Sequence, residues 1–389
     1  MGQRHIRGLG RLHQVGRLRF ELAGICDLLP QNAQRAADLA MDLLGHRPRI
    51  YESFAAMRQG IGQLDAVLLT TSPDTHANLG VTALQAGVNV MVEKPITLTV
   101  RQGQRLVRAA AETGRWLAVA ENYRRDPINR LAHALLETGV LGRLFLAMQS
   151  SSGGGENVII TPWRHLRASC GIGIDMGVHY ADILEYLLGP VDSVMGMGMV
   201  VDRERKDRDG TLYPADAEDL TAGVMRFQSG AIASWLLSMA GRGAGHFTRT
   251  IYGTGGSLGI PGDRTGHPLQ LTLRREGKDT SFTPEQVLEL VPSFHLEPTT
   301  AALFGGERLA HYTMPWADID AGLLAIEHDD FASAILEGRS PEVSGQQGLR
   351  ALALAYSFLE SERLGRAVHM SELLNSSASV YQDELEPAD

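Results

Sequence analysis

Val88-Asn89-Val90-Met91-Val92-Glu93-Lys94-Pro95 is a short apolar run that breaks into a charged pair and a proline. Val88 to Val92 reads as a strand, which places Glu93 and Lys94 at its carboxyl end. Open α/β sheets bind ligands at that end. Pro95 lacks an N–H and restricts Lys94 to extended conformations, which aims the side chain across a cleft. Lysine is scarce in these 389 residues: Lys94, Lys206 and Lys278 are the three, and arginine supplies the other 33 of 36 basic residues. An ammonium is a compact donor whose pKa responds to burial, whereas a guanidinium stays charged. Lys206 and Lys278 sit in charged, turn-like stretches, so Lys94 is the lysine with a chemical role to explain. A surface charge pair before a turn is the plain alternative.

Outward from this strand, short apolar runs alternate with helical patterns, as in a doubly wound parallel sheet. Phe20 to Cys26 reads as a strand, and Pro30 to Leu44 as a helix with proline near its start. Leu64 to Thr70 is nearly all apolar, as expected of a strand buried on both faces. Asp74 is expected to cap a helix running to about Ala86, with Gly87 ending it. Val100 to Glu112 is the next helix and Trp116 to Ala120 the next strand. Beyond Asn122 the texture changes. Pro127 to Glu137 reads as a helix and Leu144 to Gln149 as a strand. Leu220 to Leu271 reads as short strands with tight turns, hence a largely antiparallel sheet. Helices at about Asp318 to Leu336 and Gln346 to Leu364 follow. The pattern divides the chain into residues 1–121, residues 122–374, and an acidic tail at 375–389 expected to be loose.

Composition excludes several classes. Hydrophobic residues make up 44% and charged residues 21%, which is globular rather than disordered composition. No apolar run approaches the ~20 residues that span a bilayer, so no membrane role is expected. Met1 to Phe20 is rich in Arg and Gly with no apolar signal core, which points to a cytoplasmic protein. Cys26 and Cys170 are the two cysteines, far apart, so neither a disulfide framework nor a cysteine-rich zinc site is expected. A net charge of −9 argues against nucleic acid as a partner.

Two further sites carry chemistry. Asp27 closes the first visible strand, where a carboxylate accepts from the adenosine ribose hydroxyls and repels a 2′-phosphate, favouring NAD over NADP. A turn aspartate ahead of Pro30 is the alternative. The G-x-G-x-x-G turn belongs upstream of Asp27, and Met1-Gly2-Gln3-Arg4-His5-Ile6-Arg7-Gly8-Leu9 reads like its end, with Gly2 as the third glycine. The first strand of the sheet is then expected to be missing from the sequence as given, with the natural start ~10–15 codons upstream. A simple basic helix is the alternative. In Gly171-Ile172-Gly173-Ile174-Asp175-Met176-Gly177-Val178-His179-Tyr180-Ala181-Asp182, Asp175 and His179 share one helix face. Imidazole titrates near neutrality and suits moving a hydroxyl proton. An ordinary helix with a polar face is the alternative, and metal binding a rival without a convincing third ligand.

Met1-Gly2-x-Arg4-His5, Asp27, Thr70-Thr71-Ser72-Pro73-Asp74-Thr75-His76, Glu93-Lys94-Pro95 and Asp175-x-x-x-His179, in this order, resemble the Gfo/Idh/MocA family of sugar and cyclitol oxidoreductases. The resemblance covers Met1 to about Val368. It implies an N-terminal Rossmann domain, a C-terminal α/β domain on a mostly antiparallel sheet, and a homodimer or homotetramer joined through that sheet. It makes Lys94 the catalytic lysine, with Asp175 and His179 the substrate-side pair. His179 would take the hydroxyl proton, Asp175 orient it, and Lys94 donate to the reacting oxygen. Thr71, Pro73 and His76 match the segment that lines the cofactor, Glu93 a position near the nicotinamide ribose, and Asn122 one that approaches the nicotinamide. Tyr123, Arg124, Trp163, Arg164 and Tyr180 are implied in the substrate pocket. The activity implied is NAD-dependent oxidation or reduction of a polyol or sugar at a secondary alcohol or ketone, with no metal. An NAD-using glycosidase and a non-catalytic sugar-responsive regulator stand as alternatives.

Overall fold

The computed structural model describes residues 1–386. Up to Ala120 the chain is a parallel sheet in two pieces. Gly24–Cys26 pairs with Arg49–Tyr51, and Asn89–Glu93 lies between Ala66–Leu69 and Leu117–Ala120. Neither Gly24–Cys26 nor Ala66–Leu69 has a strand on its other edge. Ala66–Leu69 is accordingly half-buried, while Asn89–Glu93 and Leu117–Ala120 are buried throughout. The helix Gly2–Gln14 opens the chain, and Gly8 lets it sit close to Leu324 and Ala325 of the helix Trp316–Glu337.

Val90 to Val92 and Leu117 to Ala120 are apolar at every position because both faces are covered. Val90, Val92, Leu117 and Val119 enter the main core, whereas Met91, Ala118 and Ala120 turn the other way onto Phe331. Successive residues of a strand point to opposite faces, so a doubly covered strand loses polar alternation. Both coverings include helices from late in the chain. Phe331 belongs to Trp316–Glu337, and on the other face Gly345–Leu364 approaches so closely that a Cβ at Gly345 or Gly348 would meet Leu117 or Val119 at 2.4 Å. The division at residue 121 does not anticipate this return of the chain.

The second half is built on nine strands in the order Lys278–Ser281, Gln270–Arg275, Gly256–Ile260, His246–Gly253, Leu144–Gly154, Ile232–Gly241, Leu220–Phe227, Val191–Met199 and Val368–His369. All neighbours are antiparallel except Leu144–Gly154 and Ile232–Gly241. This agrees with the expected fold class: a Rossmann-type half and a half on a mostly antiparallel sheet. One face packs on Gly171–Leu188 and Gly345–Leu364, with Trp235 stacked on Phe358 at 4.8 Å. The opposite face exposes Met195, Met197, Met199, Val224, Ile232 and Leu236.

Two local expectations are corrected. Ser72, not Asp74, is the N-cap of Pro73–Gln85, and Asp74 falls in the first turn because Pro73 already supplies a helix-ready φ. The tail is docked, not loose, as far as residue 386. Tyr381 is buried, Gln382 Oε1 accepts from the Val100 N–H at 2.8 Å, and Asp383 and Glu386 each pair with Arg101 at 2.7 Å. Its acidity serves pairing with arginine rather than solvation. The last three residues of that tail lie outside the described residues.

Candidate active site

Four segments converge where the two halves meet. Lys94 follows the strand Asn89–Glu93, and Glu121, Asn122 and Tyr123 follow Leu117–Ala120. Arg164 sits in the short 3₁₀ helix Pro162–His165, and Asp175 and His179 lie one turn apart on Gly171–Leu188. The glycines opening that helix have a steric reason. A Cβ at Gly171 would come within 2.5 Å of Ala217, and one at Gly173 within 2.5 Å of the Glu218 carbonyl. Only a bare backbone lets the helix start there and carry Asp175 to the strand end.

Lys94 Nζ donates to Asp175 Oδ1 at 3.0 Å and to the Asp175 carbonyl at 2.9 Å. Arg164 Nε lies 3.4 Å from the other carboxylate oxygen, and its guanidinium rests 4.4 Å from the Trp163 ring centre. Burial pushes the Asp175 carboxyl up, but Lys94 and Arg164 outweigh it and hold it below its ordinary value. The Lys94–Pro95 peptide is cis.

His179 has a different partner from the one the sequence suggests. Its Nδ1 lies 2.8 Å from both Glu121 oxygens, and its ring is stacked flat on Tyr123 at 4.1 Å and 5°. Asp175 makes no hydrogen bond to His179 among the described residues; its oxygens are engaged by Lys94 and Arg164. Burial raises Glu121, and His179 more than offsets this, so the carboxyl stays below its ordinary value. His179 Nε2 makes no hydrogen bond to the described residues. Glu121 has a signal in the sequence: like Glu93, it is an acid directly after an apolar run at a strand's carboxyl end.

Other expected site residues separate into those near the cleft and those spent elsewhere. Glu93 is 4% exposed; Oε1 accepts from or faces His5 Nε2 at 2.8 Å and Oε2 accepts from the Lys94 N–H at 3.1 Å. It is therefore a buried brace, not an open ribose ligand. His76 is fully buried between the carbonyls of Thr71 and Pro95, 3.1 and 3.0 Å from its ring nitrogens, which links two loops. Thr71 is exposed and accepts from the Thr75 hydroxyl at 2.7 Å, and Pro73 opens its helix. Arg124 is spent on Asp182, with Nε to Oδ2 at 2.7 Å, and does not line a pocket. Tyr123 is buried as the platform under His179, and Tyr180 meets it edge-on at 5.9 Å.

Several groups suit a dinucleotide. Asp27 is exposed at its strand end, and Leu29 N–H and Asn32 engage only its Oδ1. Asn122 Oδ1 is buried with no hydrogen-bond partner, and a dry, unpaired acceptor is what a bound carboxamide N–H would satisfy. Gly2 is the first residue of its helix, where backbone N–H groups and the helix dipole favour a phosphate. A Cβ there would meet Thr70 Oγ1 at an ordinary 3.4 Å, so the protein itself does not demand glycine. Among the described residues, no cluster of three or more His, Cys, Asp or Glu could hold a metal ion, and no helix is long and apolar enough to cross a membrane.

Residues 1–121 match the model of the oxidoreductase family with an NAD-binding Rossmann fold, and residues 129–259 match the GFO/IDH/MocA C-terminal domain. The chain belongs to the Gfo/Idh/MocA family. It is 27% identical to the D-apiose dehydrogenase of Paraburkholderia graminis over 92% of this chain and 86% of that protein. It is 24% identical to the myo-inositol 2-dehydrogenase of Thermotoga maritima, over 80% of this chain and 81% of the other. The fold matches that of a levoglucosan dehydrogenase in complex with NADH, with a TM-score of 0.75 at 21% identity, covering 95% and 96% of the two chains.

Proposed function

We propose that this Gfo/Idh/MocA oxidoreductase is an NAD-dependent dehydrogenase or reductase acting on a secondary alcohol or ketone of a sugar or cyclitol. One observation carries the reading. The ammonium of Lys94 and the open Nε2 of His179 are brought to one cleft by separate buried pairs, with Asp175 and with Glu121. Bound NAD would supply the hydride acceptor and donor, held through Asp27, the start of Gly2–Gln14, and Asn122. In the oxidative direction His179 Nε2 takes the substrate hydroxyl proton. Lys94, held by its ion pair with Asp175, donates to the oxygen and stabilises it as charge develops there. Arg164 and Trp163 offer a fork and an aromatic face to the remaining hydroxyls.

A panel of sugars and cyclitols assayed for NAD reduction by absorbance tests this. Reduction with at least one, lost in Lys94→Ala, is the expected result. Bond cleavage without net NADH would favour a glycosidase instead.

The partner in the assembly is a second copy of this chain, met through the open sheet face. Met195 lies opposite Val224, and Ala222 opposite both Met197 and Leu236, so the exposed side chains form an apolar surface across neighbouring strands. A face of this kind is a contact surface. Val224→Arg should shift a homodimer or homotetramer toward monomer in sedimentation. We place the enzyme in the cytoplasm, in keeping with two free cysteines, one exposed.

A further inference from the structure

We propose that Glu121 is the positioning residue for His179: it fixes the proton on Nδ1, presents Nε2 to the substrate, and balances the charge the ring acquires. This rests on the dehydrogenase reading above and extends it to a residue outside the family motifs.

The geometry leaves the ring little choice. An ionised carboxylate 2.8 Å from Nδ1 through both oxygens can only accept, so Nδ1 carries the hydrogen and, in the neutral ring, Nε2 carries the lone pair. The carboxylate is fixed in turn by the Tyr123 N–H at 3.0 Å. Tyr123 then supplies the flat surface on which the imidazole lies, and its own hydroxyl accepts from Arg264 at 3.3 Å. Rotating the imidazole would forfeit the stack and the bond together.

The charges around the pair single out Glu121. On its own helix, His179 has Asp175, neutralised by Lys94 and Arg164, and Asp182, neutralised by Arg124. Lys94 lies near Glu121 from the neighbouring strand end, and Glu327 from the helix Trp316–Glu337. Arg264 and Tyr180 flank Tyr123. Of these carboxylates Glu121 is the one bonded to His179. On oxidation the hydroxyl proton passes to Nε2 as the C–O bond becomes C=O and hydride leaves the same carbon for NAD. The resulting imidazolium faces an ionised Glu121, then releases its proton to solvent through the cleft.

Glu121→Gln, Glu121→Asp and His179→Ala, with the pH dependence of kcat in the oxidative direction, test this. Glu121→Gln should lower kcat roughly tenfold to a hundredfold. It should move the acidic limb of the profile about one unit or more toward lower pH, because the imidazolium has lost its counter-charge. KM and NADH affinity should stay within about twofold, and Glu121→Asp should restore part of the limb. A lower kcat with an unmoved limb would mark a merely structural residue and overturn the proposal. An active, unshifted Glu121→Gln beside an inactive His179→Ala would overturn it while leaving the dehydrogenase reading in place. A fully active His179→Ala would remove both. Should Glu121→Gln fail to fold, ¹⁵N shifts of the His179 ring in the unaltered protein decide: protonation at Nδ1 supports the proposal and at Nε2 refutes it.

Discussion

Two neighbouring strands of the Rossmann-type sheet each end in a glutamate paired with a histidine, and the two pairs differ in what the second ring nitrogen meets. Glu93 pairs with His5, whose Nδ1 lies 3.1 Å from His328 Nε2, so both nitrogens are spent inside the protein. Glu121 pairs with His179, whose Nε2 makes no hydrogen bond to the described residues. The strands are in register with Glu93 opposite Ala120, so the pairs sit almost side by side. On the proposed function, the same pairing serves as a brace in one place and holds an acid–base group in the other.

Breaking each pair should therefore have opposite readouts. His179→Ala should lower turnover ~10²–10⁴-fold with little change in unfolding temperature. His5→Ala should strand a buried Glu93 charge and cost roughly 3–5 kcal/mol, the range for breaking a buried ion pair, seen in chemical denaturation. A large stability loss in the first variant, or none in the second, would reverse the assignment of roles.

The Glu93 pair can also be probed with acid. Burial raises the Glu93 carboxyl, but its bond to His5 and the charges of His5 and Lys94 outweigh that and bring it to about 2. A depressed carboxyl stabilises the fold above its unfolded value of ~4.5, and that stabilisation is lost as pH falls toward 2. The shift corresponds to roughly 3 kcal/mol. Glu93→Gln should flatten that part of the stability–pH curve in denaturant titrations. An unchanged slope between pH 5 and 2.5 would show that the pair contributes nothing there.

Glu327 is a third buried carboxyl near both pairs, and neither of its oxygens has a partner. Burial drives its pKa well up, with Arg125 pulling the other way. A raised carboxyl has the opposite sign: stability falls as pH climbs above ~4.5 toward the folded value. Glu327→Met should stabilise the protein by about 1–3 kcal/mol at pH 8, and by less at pH 5. Destabilisation at pH 8 would reveal a polar role that the contacts do not show.

The sequence made the Rossmann-type half legible because its strands are doubly covered and read as unbroken apolar runs. Pro30–Leu44 matched the expected helix end to end. Arg49–Tyr51 and Phe54–Ile61 escaped notice because both are short, and the strand is largely exposed and weakly patterned. Lys94 and His179 stood out by scarcity and spacing. Glu121 did not, since its meaning comes from a helix more than fifty residues away in sequence. Arg124 looked like a substrate residue until its fork was seen on Asp182. Side-chain pairing across elements is what a one-dimensional reading cannot rank.

A further expected effect concerns Asp27, at the end of a strand whose other edge is unpaired among the described residues, away from both glutamate–histidine pairs. One of its oxygens is committed to Leu29 N–H at 2.8 Å, which orients the carboxylate and leaves the other for ribose hydroxyls. A 2′-phosphate there would meet a negative charge. If the proposed NAD preference holds, Asp27→Ser should remove that repulsion and narrow the preference in kcat/KM, mostly by weakening NAD binding, since ribose hydrogen bonds are lost as well. Losing a hydrogen bond to a charged group costs ~1.5–3 kcal/mol, or about 10–150-fold in NAD affinity. Neither the His179 acidic limb nor the low-pH stability set by Glu93 should move. Tighter binding of NADP than NAD by the unaltered protein would contradict this role for Asp27 directly.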